Sequence, residues 1–105
     1  MAPPMPTRSP DGGRPDPPVP VVLYTRAGCH LCEEMKAEVA RARTAVPYEL
    51  REVDVDSDPA LAQLHGLSIP VLEIDGRPAF KGRLAAADFA RKLERRAMER
   101  RGASR

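Results

Sequence analysis

Hydrophobic positions switch between two periods along this chain of 105 residues. Val19 to Thr25 is a nearly continuous apolar run, the pattern of a central strand covered on both faces. Gly28 breaks it. Leu31, Met35, Val39, Ala42 and Val46 then recur at helical spacing, which predicts a helix from Cys29 to about Ala45 with one apolar stripe. Pro47 is the expected stop. Tyr48 to Val55 reads as a second strand, polar enough to lie near an edge. Asp58-Pro59 looks like an N-cap followed by proline at the first helical position. Leu61 and Leu64 form the apolar side of that short helix, and Gly66 suits its C′ position. Pro70 to Ile74 reads as a third strand, Asp75-Gly76 as a two-residue hairpin turn, and Pro78 to Lys81 as the returning edge strand. A last helix is expected from about Leu84 to Arg100, with Phe89, Leu93 and Ala97 inward and no good N-cap at its start. The order β-α-β-α-β-β-α defines an α/β protein. The first two strands must run parallel because a helix separates them, and the last two antiparallel because a tight turn joins them. The expected architecture is a four-stranded mixed sheet flanked by helices.

Composition sets the limits of that unit. Eight of the 12 prolines fall in the first 20 positions, so residues 1–18 read as a disordered leader with too little apolar area to offset the entropy of ordering. Within it, Pro3 to Pro6 and Pro15 to Pro18 have the spacing of a PxxP ligand, although a tail without a role is the plainer reading. Met5 offers an alternative start. The domain is expected over residues 19–98, roughly 80 residues, which is one small domain and too short for two nucleotide-binding lobes or an α/β barrel. Residues 99–105 form a basic tail.

Charge is distributed unevenly. Residues 21–80 carry six basic and ten acidic side chains, whereas residues 81–105 carry nine basic and three acidic. The basic end has no interleaved aromatics and no reading motif, so a solvated helix face is expected and nucleic acid is not. No charged segment leads into an apolar one at the N-terminus, and no apolar run approaches bilayer length, so neither secretion nor membrane insertion is expected. With two cysteines and no wider disulfide framework, a cytoplasmic monomer is the expectation.

The two cysteines carry the chemistry. Cys29 and Cys32 form C-H-L-C immediately after the first strand and at the opening of the first helix. Unpaired N–H groups and the macrodipole at a helix N-terminus favour an anion. A thiol so placed can have its pKa drop from ~8.5 into the range ~3.5–7.5. Cys32 lies deeper in the helix and feels less of that field. Cys29 is therefore the expected attacking thiolate and Cys32 the resolving thiol. CxxC is also half of a zinc site, but that needs two more ligands, and only His30 and His65 remain without a second CxxC or H-x₃₋₅-H; no metal is expected. A merely structural disulfide is a poor alternative, since closing so short a loop removes little unfolded-state entropy. Arg26, three positions before Cys29, either stabilises the thiolate or a substrate carboxylate, or is an exposed arginine at a strand end. His30 is a candidate modulator as an imidazolium, but the helix N-terminus opposes that charge, and exposed filler is the competing reading. Glu33 and Glu34 suit the helix dipole yet oppose a low thiolate pKa.

The segment L-Y-T-R-A-G-C-H-L-C, then S-I-P-V-L-E-I-D-G-R, then a closing helix, resembles the glutaredoxin family, and more narrowly the small glutaredoxin-like proteins with C-x-L-C in place of C-P-Y-C. The resemblance covers about residues 19–98. It implies a thioredoxin-like fold and a thiol–disulfide oxidoreductase. It implies that Pro70, in Ser68-Ile69-Pro70, is cis and faces the CxxC, and that the backbone at Ile69 and Pro70 pairs with substrate like an added strand. Arg26 occupies the position of the family's basic residue three before the first cysteine. Glutathione or another low-molecular-weight thiol, or a thiol reductase, is the implied electron donor, with no bound cofactor. Protein or small-molecule disulfides are the implied substrates. One departure matters here. Glutathione-using members carry G-G-x-D-D before the last helix, whereas this chain has Lys81-Gly82-Arg83-Leu84-Ala85, without the acidic pair. Two other readings use the same fold: a non-enzymatic redox switch or partner-binding module, and an Fe–S or zinc carrier.

Overall fold

The computed structural model describes residues 17–66 and 68–103. The apolar run forms strand β1 (Val19–Thr25), followed by helix α1 (His30–Arg41) and strand β2 (Tyr48–Asp54). A 3-10 turn (Val55–Ser57) leads into the short helix α2 (Pro59–His65). Strands β3 (Val71–Ile74) and β4 (Arg77–Lys81) form the hairpin, and helix α3 (Ala86–Ala103) closes the unit. The sheet order is β2-β1-β3-β4. β1 is parallel to β2 and antiparallel to β3, and β3 is antiparallel to β4. The mixed sheet and both edge assignments agree with the sequence pattern. No helix among the described residues is long and apolar enough to cross a membrane.

One face of the sheet makes the core. Val19, Val21 and Leu23 of β1 and Leu72 and Ile74 of β3 pack against Met35 and Val39 of α1 and Phe89, Leu93 and Ala97 of α3. The two faces of β1 are not equivalent, although its sequence is apolar throughout. Pro20 is exposed and Val22 and Tyr24 are only half-buried. The long helices α1 and α3 cover the first face, while the second meets the end of α2, where His65 stacks on Tyr24 at 4.3 Å between ring centroids.

Local chemistry explains where the elements differ from the pattern. Helix α1 ends at Arg41, short of Pro47, with Ala42 already extended. The Thr44 hydroxyl accepts the Val46 N–H at 3.1 Å, so a side-chain turn replaces the last helical bonds. Ala42 and Val46 still pack on the core, so the apolar stripe marks burial beyond the helix itself. Asp58 caps α2 as expected, accepting the Ala60 N–H at 2.9 Å. Gly66, however, is the C-cap in right-handed helical conformation (φ −55°, ψ −31°), not a left-handed C′ residue. The hairpin turn has φ of 55° at Asp75 and 81° at Gly76, the paired positive values that a two-residue turn requires. Helix α3 has a cap that no local spacing reveals: Glu38 of α1 accepts the Ala86 N–H at 3.0 Å.

The basic end is also not wholly a solvated face. Arg96 is 8% exposed. Its guanidinium donates to the carbonyls of Ile74 (2.8 Å), Arg77 (3.3 Å) and Pro78 (3.2 Å), so it pins the hairpin to α3. The leader assigned to residues 1–18, with its PxxP spacings and Met5, lies outside the described residues except for Pro17 and Pro18, as do Ser104 and Arg105 of the basic tail.

Candidate functional site

The site grows from the end of β1. The strand stops at Thr25, Arg26 to Gly28 turn the chain, and Cys29 becomes the N-cap of α1 rather than its first helical residue. Its backbone is extended (φ −82°, ψ 110°) and its N–H donates to the Arg26 carbonyl at 3.1 Å. The Cys29 Sγ accepts the Cys32 N–H at 3.1 Å, the bond that a serine or aspartate hydroxyl or carboxylate makes at an N-cap. The two sulfurs are joined as a disulfide, with Cα atoms 5.2 Å apart. Cys29 is half-buried, whereas Cys32 is 1% exposed. The outer sulfur thus sits where backbone N–H groups favour an anion, and the inner one is sealed beneath it.

The Ile69–Pro70 peptide bond is cis, as the glutaredoxin resemblance implies. Pro70 is buried and Ile69 half-buried. Register places them: Tyr24 pairs with Val71, so Pro70 lies at the end of the sheet where β1 gives way to the cysteine turn. The Pro70 carbonyl accepts the Gly82 N–H at 2.8 Å, which draws the β4–α3 connection to the same end. Arg83 in that connection reaches Glu34 of α1 at 3.2 Å. A groove of about 300 Å³ lies between them, lined by Glu34, Met35, Glu38, Gly82, Arg83 and Leu84 among others. Arg83, in the stretch where glutathione-using glutaredoxins carry their acidic pair, meets Glu34 of α1 there.

His30 is 86% exposed and its Nε2 lies 2.9 Å from Glu34. Glu34 therefore takes a contact from His30 on one oxygen and from Arg83 on the other. Arg26 is turned to a different partner. Its Nε and Nη2 donate to the two carboxylate oxygens of Asp56 at 2.9 and 3.0 Å, and its Nη1 to the Gly66 carbonyl at 3.2 Å. Hydrogen bonding to Asp56, with its charge, raises the Arg26 pKa above the ordinary guanidinium value. Hydrogen bonding from Arg26 holds the Asp56 carboxyl below the usual carboxylate range.

Asp56 is the site-end residue that the sequence pattern does not single out; Glu34 is read there only for its effect on the thiolate, Gly66 only as a helix end, and Arg83 only within the stretch that lacks the acidic pair. A signal for Asp56 exists in the topology. β1 and β2 are parallel neighbours with Thr25 opposite Asp54, so residues just past the two strands share one end, and they carry opposite charge. Among the described residues, no group of three or more His, Cys, Asp or Glu is placed to hold a metal ion.

Solved structures share this fold. The X-ray structure of target protein XcR50 from X. campestris is 32% identical with a TM-score of 0.61, over 71% of this chain and 96% of its own. The solution structure of protein Ne2328 from Nitrosomonas europaea is 27% identical with a TM-score of 0.59, over 76% of this chain and 96% of its own. The fold is thioredoxin-like. Uncharacterized proteins from Mycobacterium tuberculosis and Mycobacterium bovis are 32% identical over 62 residues, which is 54% of this chain. That stretch spans 64% of the length of these curated relatives. Residues 20–94, a span that includes both cysteines, cis-Pro70 and the first half of α3, match the Glutaredoxin-like domain (DUF836), and the chain belongs to that family.

Proposed function

We propose that the protein is a dithiol–disulfide oxidoreductase in which Cys29 attacks and Cys32 resolves. The observation that carries this reading is the asymmetry of the pair. Cys29 is the half-buried N-cap whose sulfur accepts a backbone N–H, and Cys32 is 1% exposed behind it. In the reduced protein the Cys29 thiolate attacks one sulfur of a substrate disulfide. A mixed disulfide forms and the other substrate sulfur leaves as thiolate. Deprotonated Cys32 then attacks the Cys29 sulfur, closing the intramolecular disulfide and releasing the second substrate thiolate. The substrate gains two electrons and the protein loses them. Two equivalents of a low-molecular-weight thiol such as glutathione, or a thiol reductase, return the pair to the dithiol. A reducing compartment such as the cytoplasm suits this direction. Ile69, held in place by cis-Pro70, would offer its backbone to an extended substrate segment beside Cys29.

The test is disulfide reduction by the purified protein, with mass spectrometry of trapped intermediates. The wild type should reduce hydroxyethyl disulfide with a thiol donor. Cys29→Ser should abolish turnover, and Cys32→Ser should accumulate a mixed disulfide on Cys29. No turnover with any thiol donor, or a mixed disulfide trapped on Cys32 in Cys29→Ser with none on Cys29 in Cys32→Ser, overturns the assignment. Retention of a partner protein in one redox state without turnover would favour the redox-switch alternative.

A further inference from the structure

Arg26 is connected at both of its ends. Its backbone carbonyl accepts the Cys29 N–H at 3.1 Å. Its guanidinium grips Asp56, just beyond β2, through two parallel bonds, and the Gly66 carbonyl at the end of α2 through a third. Three of its five N–H donors are thereby committed, and the planar fork that would take a carboxylate already holds one. A substrate carboxylate would find only the two remaining N–H donors unless it displaced Asp56. The end of α2 must also come close for the third bond. A Cβ on Gly66 would collide with the Ala62 carbonyl of α2 itself and stand 3.3 Å from Arg26 Nη2, so glycine suits this helix end and leaves the guanidinium its room. Beyond Gly66, Ser68 donates to the His65 carbonyl at 2.8 Å, and the chain enters Ile69-cis-Pro70. The turn bearing Cys29 and the segment bearing Pro70 thus share one tether.

We infer that Arg26, locked by Asp56, is a positioning residue that fixes the cysteine turn against the cis-proline segment, and that it does not itself meet the thiolate or a substrate carboxylate. The inference rests on the oxidoreductase reading for its effect on turnover. An exposed ion pair of this kind adds little to global stability. The placement of sulfur against the strand-pairing backbone is far more sensitive, because a displacement of about 1 Å in a reacting geometry costs up to ~100-fold in rate.

Substitution of Asp56 separates the possibilities, because Asp56→Asn weakens the hold on Arg26 and leaves its charge intact. The full chain is compared as wild type, Arg26→Ala, Arg26→Lys, Asp56→Asn and the Arg26→Ala/Asp56→Asn double variant. Turnover is measured with neutral hydroxyethyl disulfide and with anionic oxidised glutathione. Each single variant should lower kcat/KM about ten-fold on both disulfides. The double variant should be no worse than the worse single one. Arg26→Lys should not rescue, since an ammonium keeps the charge without the fork. In a Cys32→Ser background, the pH profile of Cys29 alkylation should be the same with and without Asp56→Asn. A lower alkylation midpoint in Asp56→Asn, or a gain on the anionic disulfide alone, overturns the inference in favour of direct contact by the freed guanidinium. Unchanged turnover in Arg26→Ala and Asp56→Asn also overturns it. If the wild type reduces no disulfide, the functional reading fails by itself. The tether is then judged by amide exchange at Cys29 and Ser68, which Asp56→Asn should accelerate about ten-fold and which unchanged protection would refute.

Discussion

Asp56 stays ionised to lower pH than a free carboxyl because Arg26 donates two hydrogen bonds to it. Its folded pKa lies below the unfolded one. The contribution of the pair to stability is therefore complete above the ordinary aspartate value of about 3.9 and disappears as pH falls through the folded value. The tether is intact at neutral and mildly acidic pH. NMR titration should place the Asp56 midpoint below the ordinary value in the wild type and return it there in Arg26→Ala; an unmoved midpoint contradicts the pairing. Arg96 allows a larger effect. Arg96→Ala removes the donor from one buried and two part-buried hairpin carbonyls, which should cost about 1–3 kcal/mol in a urea denaturation. Arg96→Lys should recover only part, having no planar fork. The sequence shows some of this scale and hides the rest for one reason. Cys29, Cys32 and Pro70 are legible because short spacings and their neighbours in the chain define them. Arg26 is legible as a charge but not as a partner, since Asp56 lies 30 positions away and only the pairing of β1 with β2 brings them together.

Elements repeat that division. The hairpin is legible because Asp75-Gly76 must supply two positive φ values, and few other dipeptides do so cheaply. The N-cap of α2 is legible because Asp58 and Pro59 are adjacent in sequence. The start of α3 has no such local signal, because its cap comes from another helix. Glu38 satisfies the Ala86 N–H, and Glu38→Ala should destabilise the protein by about 1 kcal/mol, as loss of a helix cap does. Hydrogen exchange should quicken first at the opening turn of α3. Glu38→Gln keeps an acceptor and should lose much less. A uniform loss of protection across α1 and α3 would contradict a capping role. The end of α1 is less legible for the opposite reason. Ala42 and Val46 continue the apolar stripe because they pack on the core, yet Thr44 turns the backbone out of the helix. Burial and helicity part company there, and a hydrophobic pattern reports only burial.

The whole molecule is organised about one covered face, which separates what holds it together from what it does. α1 and α3 supply the core over β1 and β3, and Phe89 is fully buried at its centre, edge-on to Tyr48 at 5.4 Å between centroids. The cysteines and Pro70 lie at one end of that sheet, where β1 and β3 open into loops. Arg100 ties the molecule at the other end, donating to the Pro17 carbonyl before β1 at 3.2 Å and lying 3.9 Å from Asp75 in the hairpin turn. Two arginines of the basic helix, Arg96 and Arg100, therefore act as staples. Phe89→Ala should cost about 3–5 kcal/mol through the cavity it leaves. Small domains hold only about 5–15 kcal/mol in all, so this one change removes a large part of the stability. Leu64, 71% exposed on α2, is the control: Leu64→Ala should shift the urea midpoint by less than about 0.5 kcal/mol. Cys29→Ser, compared with the reduced wild type, should likewise leave the midpoint nearly unchanged, because a serine hydroxyl can replace the N-cap acceptor, while disulfide exchange is lost. If Cys29→Ser instead unfolded as readily as Phe89→Ala, the sulfur would be a structural member of the core, and the separation of stability from chemistry argued from this fold would not hold.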